Sequence, residues 1–369
     1  MADTRVELKR FQEIADSPTV RYYTDWRKFR DKLDIDDAVN IDNIEVETGS
    51  ATCIIDLRGT HALVTGNCGR IGVTRDHILF NPALATNKEY MLDYHARRAK
   101  VRLEAELPDK SKVLVISRGG DGYTGYSLKL STPAMSTAQV TIIDVALGDG
   151  LKTQCIALEA GDRSKVETIL FQKHAKTPVY TYMTAYAGTG AELQLKLGTI
   201  AGDMTRTRID TILRGETAAY TMHGGAVASG ENRGDIIANV IHSGQKTRST
   251  VQLRGVSSDK GVLALRGVAR VEPNARGSST GFEAYVIPFG DKAKGYAVPM
   301  LEIFTGDVEQ AYHSAAASSL DEETVFYLKT RGIGKEIPAL LAYSVLDYTG
   351  VREAVERFGL NIDKMLWEL

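Results

Sequence analysis

Along the chain the hydrophobic positions change their spacing twice. Between about residues 4 and 38 they recur every third or fourth position, as Val6, Leu8, Phe11 and Ile14 and then Trp26, Phe29 and Leu33, set among many charges. That is the period of amphipathic helices, and Asp25 is placed to cap the second of them. From Ile44 to Phe304 the pattern shifts to short runs rich in Val, Ile, Thr and Leu that alternate with polar residues. Thr250-Val251-Gln252-Leu253-Arg254 and Val262-Leu263-Ala264-Leu265-Arg266 are examples, and such runs read as strands. From Asp321 onward the helical period returns through Phe326-Tyr327-Leu328, Ile337, Leu340-Leu341, Val345-Leu346, Val351, Val355 and Phe358.

The strand region is punctuated at a steady rhythm. Gly148-Asp149-Gly150, Gly161-Asp162, Gly188-Thr189-Gly190, Gly202-Asp203, Gly215-Glu216, Gly230-Glu231, Gly244-Gln245 and Ser258-Asp259 mark turns, followed by Gly290-Asp291 and Gly306-Asp307. Their spacing is roughly 13 to 16 residues or a multiple, the kind of fixed period that signals stacked repeats. No helical pattern intervenes to build a βαβ unit. Coils of short strands, each burying its apolar side chains against its neighbours, are the expectation. An antiparallel sandwich is the alternative, and the scarcity of Asn-Gly and Asp-Gly pairs speaks against regular hairpins. The chain divides accordingly into an N-terminal helical segment (1–43), a β core (44–310) and a C-terminal helical domain (311–369). An open solenoid leaves strand edges and apolar coil ends bare, so the helical segments are expected to cap the two ends.

Composition agrees: 34 glycines, 9 prolines and 7% aromatic residues suit a turn-rich β architecture. With 45 basic and 47 acidic residues the net charge is -2, and no basic run concentrates charge for nucleic acid or an anionic membrane. The apolar stretch from Ile337 to Leu346 is too short to span a bilayer, and Met1-Ala2-Asp3-Thr4-Arg5 lacks the apolar core of a signal peptide. A cytoplasmic protein is expected. Cys53, Cys68 and Cys155 form no C-x-x-C pair, so each is expected to be a small buried hydrophobe, and not part of a disulfide scaffold.

Catalytic signatures are absent. Without a P-loop, this chain is expected to bind no nucleotide itself. Gly66-Asn67-Cys68-Gly69-Arg70-Ile71-Gly72 lacks the strand-to-helix setting of a dinucleotide site and reads as a turn. Neither G-x-S-x-G nor H-E-x-x-H occurs, and His61, His77, His95, His174, His223, His242 and His313 show no ligand spacing among themselves. Asp321-Glu322-Glu323 precede an apolar helical run, where acids complement the helix dipole.

In the C-terminal third the run Leu320-Asp321-Glu322-Glu323-Thr324-Val325-Phe326-Tyr327-Leu328-Lys329-Thr330-Arg331-Gly332-Ile333 resembles the signature D-(D/E)-(E/Q)-x-(L/I/V)-F-Y-L-x-(S/T)-R-G-(I/L) of the SufB/SufD family of iron–sulfur cluster scaffolds. Pro299-Met300-Leu301-Glu302-Ile303 looks like the family's P-x-(L/I)-E segment. Upstream, Ile241-His242-Ser243-Gly244, Thr247 and Ser249, then Arg254-Gly255-Val256-Ser257 and Arg266-Gly267, are similar to the B-type pattern. The resemblance runs from about Leu213 to Gly332. It implies a right-handed parallel β-helix flanked by N- and C-terminal α-helical segments, and a scaffold that is not itself an enzyme. It also implies a SufC-like ABC ATPase docking on the C-terminal helices, whose apolar residues fall on more than one face; Tyr327, Arg331 and Leu341 are the expected anchors, since interfaces favour aromatic and Arg residues. A dimer with itself or a paralogous scaffold follows, together with a transient iron–sulfur cluster, a sulfur donor and apo-protein acceptors.

The departures from the family concern the metal. Clusters favour thiolate ligands, yet the B-type cysteines align with Ala293 and approximately with Tyr186, and the glutamate after the family histidine is Ser314. His313 is the ligand candidate carried over. Cys155, in Thr153-Gln154-Cys155-Ile156-Ala157, is a candidate replacement thiol in a run that equally suits packing. Two other readings remain: a structural partner subunit without its own cluster, and a carbohydrate-active β-helix enzyme. The latter would carry a carboxylate or basic constellation and usually an export signal, neither of which is evident.

Overall fold

The computed structural model describes residues 23–42, 44–73 and 90–367. The chain starts there with a short helix, α1 (Trp26–Arg30), capped as expected by Asp25, whose carboxylate accepts the Arg27 N–H. The helix expected through Val6, Leu8, Phe11 and Ile14 lies outside the described residues. Strands β1 (Cys53–Arg58), β2 (His61–Gly66) and β3 (Arg70–Gly72) precede helix α2 (Tyr90–Arg98). Then follow β4 (Val101–Glu106), β5 (Ser111–Gly119), β6 (Tyr123–Thr132), β7 (Thr137–Ala146), β8 (Leu151–Ala160), β9 (Lys165–His174), β10 (Val179–Ala187) and β11 (Glu192–Ile200). The series continues with β12 (Thr205–Leu213), β13 (Ala219–Ala228), β14 (Arg233–His242), β15 (Arg248–Ser258), β16 (Val262–Val271), β17 (Ser278–Phe289), β18 (Lys294–Ile303) and β19 (Val308–Ala317). Four helices end it: α3 (Glu322–Thr330), α4 (Ile337–Tyr348), α5 (Val351–Glu356) and α6 (Ile362–Trp367).

From β4 onward successive strands alternate between two sheets. One is ten-stranded, in the order β19-β17-β15-β13-β11-β9-β7-β5-β1-β2, and the other is nine-stranded, β18-β16-β14-β12-β10-β8-β6-β4-β3. Neighbours pair in parallel throughout the body, and antiparallel pairing is confined to β1–β2 and β3–β4 at the first end. This is a β-solenoid, with the glycine-marked turns at its corners, and not an antiparallel sandwich. Because side chains alternate across a strand, each strand sends one set inward. Val140, Ile142, Leu170, Leu197, Met222 and Leu253 from one sheet meet Ile156, Leu158, Met183, Ile209, Ile236 and Leu265 from the other in a continuous core.

The helices lie elsewhere than expected. They cover the flanks of the solenoid, not its ends. Outward residues Leu114, Ile116, Ile143, Val145, Phe171, Ile200 and Val227 of the ten-stranded sheet are buried beneath Ala342, Leu346, Val351, Val355 and Ile362 of α4–α6. Outward residues Tyr123, Leu151, Cys155, Tyr180 and Tyr182 of the nine-stranded sheet are buried beneath Trp26, Phe29, Met91 and Tyr94 of α1 and α2. The physical reason is area: these strands are apolar on both faces over several coils, far more surface than one coil end presents. Helix α2 falls within the stretch read as strand. On the other flank Gly198 and Gly225 are paired in register, and a Cβ on Gly225 would stand 2.6 Å from the Val345 carbonyl oxygen. Only glycine lets α4 come this close. Burial of Leu346 and Val351, both fully inaccessible, contributes about 1.5–3 kcal/mol each.

A second correction concerns cysteine. Cys53 and Cys68, expected as independent hydrophobes, form a disulfide. The β1–β2 hairpin sets Cys53 opposite Gly66 and so returns Cys68 to it, a pairing that spacing alone does not reveal.

Candidate functional site

Among the described residues the body of the solenoid is closed by packing, but its last coil is not. Strand β19 is an edge of its sheet, and nearly all of its residues are solvent-accessible. Met300 and Ile303 of β18, the following Phe304 (54% exposed) and Tyr312 of β19 leave an apolar surface there. His313 pairs in register with Phe282, an inward core residue, so its exposed side chain leaves β19 on the luminal side of the open coil. Beside it Ser314 is 2.7 Å from the Tyr285 hydroxyl. The Arg254 guanidinium lies 4.1 Å from the centre of the Tyr285 ring and 5.3 Å from that of Tyr348.

Next in sequence stands α3. Asp321 is its N-cap and accepts the Thr324 N–H at 2.7 Å. That bond and the Thr324 hydroxyl hold the Asp321 carboxyl below its usual range, so the acidic triplet serves the helix start as its spacing suggests. No residue of α3 is buried. Phe326 (69%) and Tyr327 (55%) face solvent, and the Arg331 guanidinium stacks 5.2 Å from the Tyr327 ring centre. Leu341 is half-buried on α4. Thus Tyr327 and Arg331 are brought together, with Leu341 on the following helix.

Cys155 sits in a different place. It is buried on the outward face of β8, among Tyr123 and Tyr182 under the N-terminal helices. Strands β8 and β18 are five steps apart in their sheet, roughly 24 Å at the usual strand spacing. Cys155 and the His313 coil are therefore not joined within one chain. Among the described residues no group of three or more His, Cys, Asp or Glu side chains is arranged to hold a metal ion.

Two clusters escaped the sequence reading. Inside the lumen the Lys152 ammonium donates to Asp144 at 2.5 Å and to the Ser117 carbonyl at 2.8 Å. The His174 Nε2 lies 3.2 Å from the same carboxylate, and Gln154 and Gln172 donate to it. All three ionisable side chains are fully buried. Burial pushes the Asp144 carboxyl up, but the charges of Lys152 and His174 and their hydrogen bonds outweigh it and hold it well below the ordinary carboxylate range. Alternation offered the signal, because Asp144 and Lys152 share parity with the inward Ile142 and Ile156. On the outward face of the nine-stranded sheet Asp235 accepts from Arg206 at 2.6 Å, Arg266 at 2.8 Å and the Thr24 hydroxyl, pinning the start of the described chain.

The geometry also explains the B-type motif. His242 is inside the lumen, with Nδ1 2.7 Å from the Thr247 hydroxyl and Nε2 2.8 Å from the Ser249 hydroxyl. The Arg266 side chain anchors on Asp235, while a Cβ on Gly267 would lie 1.8 Å from the Ala238 carbonyl oxygen. These residues build coils. Residues 129–339, from within β6 to the start of α4, match the family described as SUF system FeS cluster assembly, SufBD core domain. The chain belongs to this family.

Among SufBD relatives, the iron–sulfur cluster assembly protein SufB of Bacillus subtilis is 29% identical over 139 residues, covering 38% of this chain and 30% of SufB. SufD of the same organism is 28% identical over 161 residues, covering 43% and 37%. The chloroplastic SufBD family protein ABCI8 of Arabidopsis thaliana is 20% identical over 274 residues, covering 69% and 45%. The chain thus spans less than half the length of each of these relatives. The SufBD match contains His313, Tyr327 and Arg331 and ends just before Leu341. No helix among the described residues is long and apolar enough to cross a membrane.

Proposed function

We propose that this SufBD protein is a cytoplasmic scaffold subunit for iron–sulfur cluster assembly, non-enzymatic itself and worked by an ABC-type ATPase. The observation that carries the reading is the open last coil, with His313 at its luminal mouth and the solvent-facing arm α3 directly after it. An unpaired strand edge with apolar neighbours is a template for pairing, and a second scaffold subunit, identical or paralogous, is its natural cover. A transient cluster at that seam draws an imidazole from His313. Thiolates, which soft iron–sulfur centres prefer, come from the partner subunit, because Cys155 is sealed under tyrosines. The aromatic–Arg pair of α3, with Leu341, supplies the kind of anchors that interfaces favour and receives the ATPase, which brings the nucleotide chemistry. A sulfur donor and apo-protein acceptors complete the cycle.

The competing reading is a structural partner that shapes the seam without ligating anything. It is favoured by the Ser314–Tyr285 contact, which ties up the position beside His313. One experiment separates the two and tests the whole. The chain is co-expressed with an ABC ATPase and candidate scaffold partner, then reconstituted anaerobically with iron and sulfide. Tyr327→Ala with Arg331→Ala should weaken ATPase binding by roughly tenfold or more while leaving the circular dichroism unchanged, since α3 buries nothing. His313→Ala should lower cluster absorbance if the chain ligates. Unchanged absorbance favours the structural partner, and unchanged ATPase affinity overturns the docking assignment.

A further inference from the structure

The first coil is built unlike the others. Strand β3 has three residues and pairs with β4 over three positions. Strand β2 forms the edge of its sheet and rests on β1 alone. Its side chains reach the core only through the partly buried Ala62 and Val64, and Leu63, Ile71 and Val73 stand exposed. By contrast, body strands such as β13 pair over nine or more positions on both sides. Across this thin end runs one covalent tie. Cys53 lies on β1 among the core residues Ile55 and Leu57, and Cys68 lies in the crossing from β2 to β3, where the chain leaves one sheet for the other. The bond therefore joins the hairpin of the ten-stranded sheet to the chain entering the nine-stranded sheet, at the point where Asn67 N–H donates to the Thr52 carbonyl at 2.6 Å. Both cysteines are buried, at 0% and 2% exposure.

We infer that the Cys53–Cys68 bridge is a redox latch that keeps the edge strands β2 and β3 of the first coil seated on the solenoid and that a dithiol reductant releases. This goes beyond the scaffold reading and does not rest on it. A thiolate of the dithiol attacks one sulfur, forming a mixed disulfide and freeing the other cysteine thiolate. The reductant's second thiolate then displaces the remaining cysteine, leaving oxidised cyclic dithiol and two protein thiols, a balanced transfer of two electrons and two protons. Because the sulfurs are buried, attack follows a local opening of β2–β3. Once reduced, that opening loses its covalent restraint while the parallel coils keep their hydrogen-bonded ladders.

The test uses the full chain, purified in air and then exposed to excess dithiothreitol under native conditions. Alkylation after denaturation without prior reduction should label one of the three cysteines, and all three after the dithiol step. Hydrogen exchange over residues 61–72 should then speed up by about a hundredfold, the scale of losing a cross-link around a loop of this length. Exchange across β7–β16 should stay as it was. The double variant Cys53→Ser with Cys68→Ser should exchange like the reduced protein with or without dithiol. The latch is overturned if air-purified protein labels at all three cysteines, if the bridge resists dithiol in the folded protein, or if reduction leaves exchange over 61–72 unchanged.

Discussion

The imidazole of His242 sits inside the solenoid with both ring nitrogens taken by Thr247 and Ser249. Burial pulls its pKa down to about 4 from an ordinary 6.5. A histidine depressed in the fold binds its proton more readily once unfolded, so its stabilising effect is complete above pH 6.5 and is lost as pH falls toward 4. Asp144 acts in the next window. Its depressed carboxyl contributes stability above its ordinary value of 3.8, and that contribution fades as pH falls below it. Urea midpoints measured against pH should therefore slope downward in two stages, with His242→Gln flattening the first and Asp144→Asn the second. Lys152 offers a sharper test. Lys152→Met leaves the buried Asp144 carboxylate with His174 and two amides but no ammonium, which should cost up to about 3–5 kcal/mol, whereas Lys152→Met combined with Asp144→Leu should recover much of that loss. A double-variant loss equal to the sum of the Lys152→Met and Asp144→Leu losses would show that the pair is not coupled.

At the scale of elements, the C-terminal helices divide their work. Helices α4 and α5 are part of the fold, seated on β9, β11, β13 and β15, while α3 stands free of the core. Gly225→Val places side-chain atoms where the Val345 carbonyl lies. Overpacking of this kind should cost about 1–3 kcal/mol and release hydrogen-exchange protection in α4 and α5 before the coils lose theirs. Unaltered protection in α4 would mean that the helix has another seat. Removing residues 337–367 is a different matter. It uncovers Ile143, Val145 and Phe171, so aggregation of the β core is expected in light scattering. ATPase docking is therefore best probed by point changes in α3, not by truncating the helical end.

For the whole molecule the asymmetry of the ends matters most. The first end carries the antiparallel edge strands β2 and β3 and is tied by a disulfide; the last carries the parallel edge strand β19 and no such tie. If the open end is where two scaffold subunits meet, Met300→Asp with Phe304→Asp should convert a dimer into a monomer by light-scattering mass without changing the thermal midpoint. A mass already monomeric in the unmodified protein, alone and with an added ABC-type ATPase, would contradict the pairing.

The solenoid itself was legible in the chain, because a coil repeats one local rule. The alternating runs and glycine-marked corners from Gly148 onward each encode a strand and a turn, and stacking copies needs no long-range information. The Asp25 cap and the acidic start of the helix at Asp321 were legible for the same reason, since each is settled within three residues; that Asp321 is itself the cap came only with the structure. The family was legible too, in motifs whose His242, Thr247 and Ser249 prove to be bonded to one another. What sequence period cannot carry is partnership between distant segments. An outward Phe171 and an inward Leu170 look alike in a run of apolar residues, so only the folded chain reveals that helices cover the flanks and leave the last coil open. Likewise Cys53 meets Cys68, and Lys152 meets Asp144, only after a hairpin or a coil has turned the chain back. Local periodicity determined the repeat, and tertiary packing decided which faces were sealed and which end was left with an exposed edge.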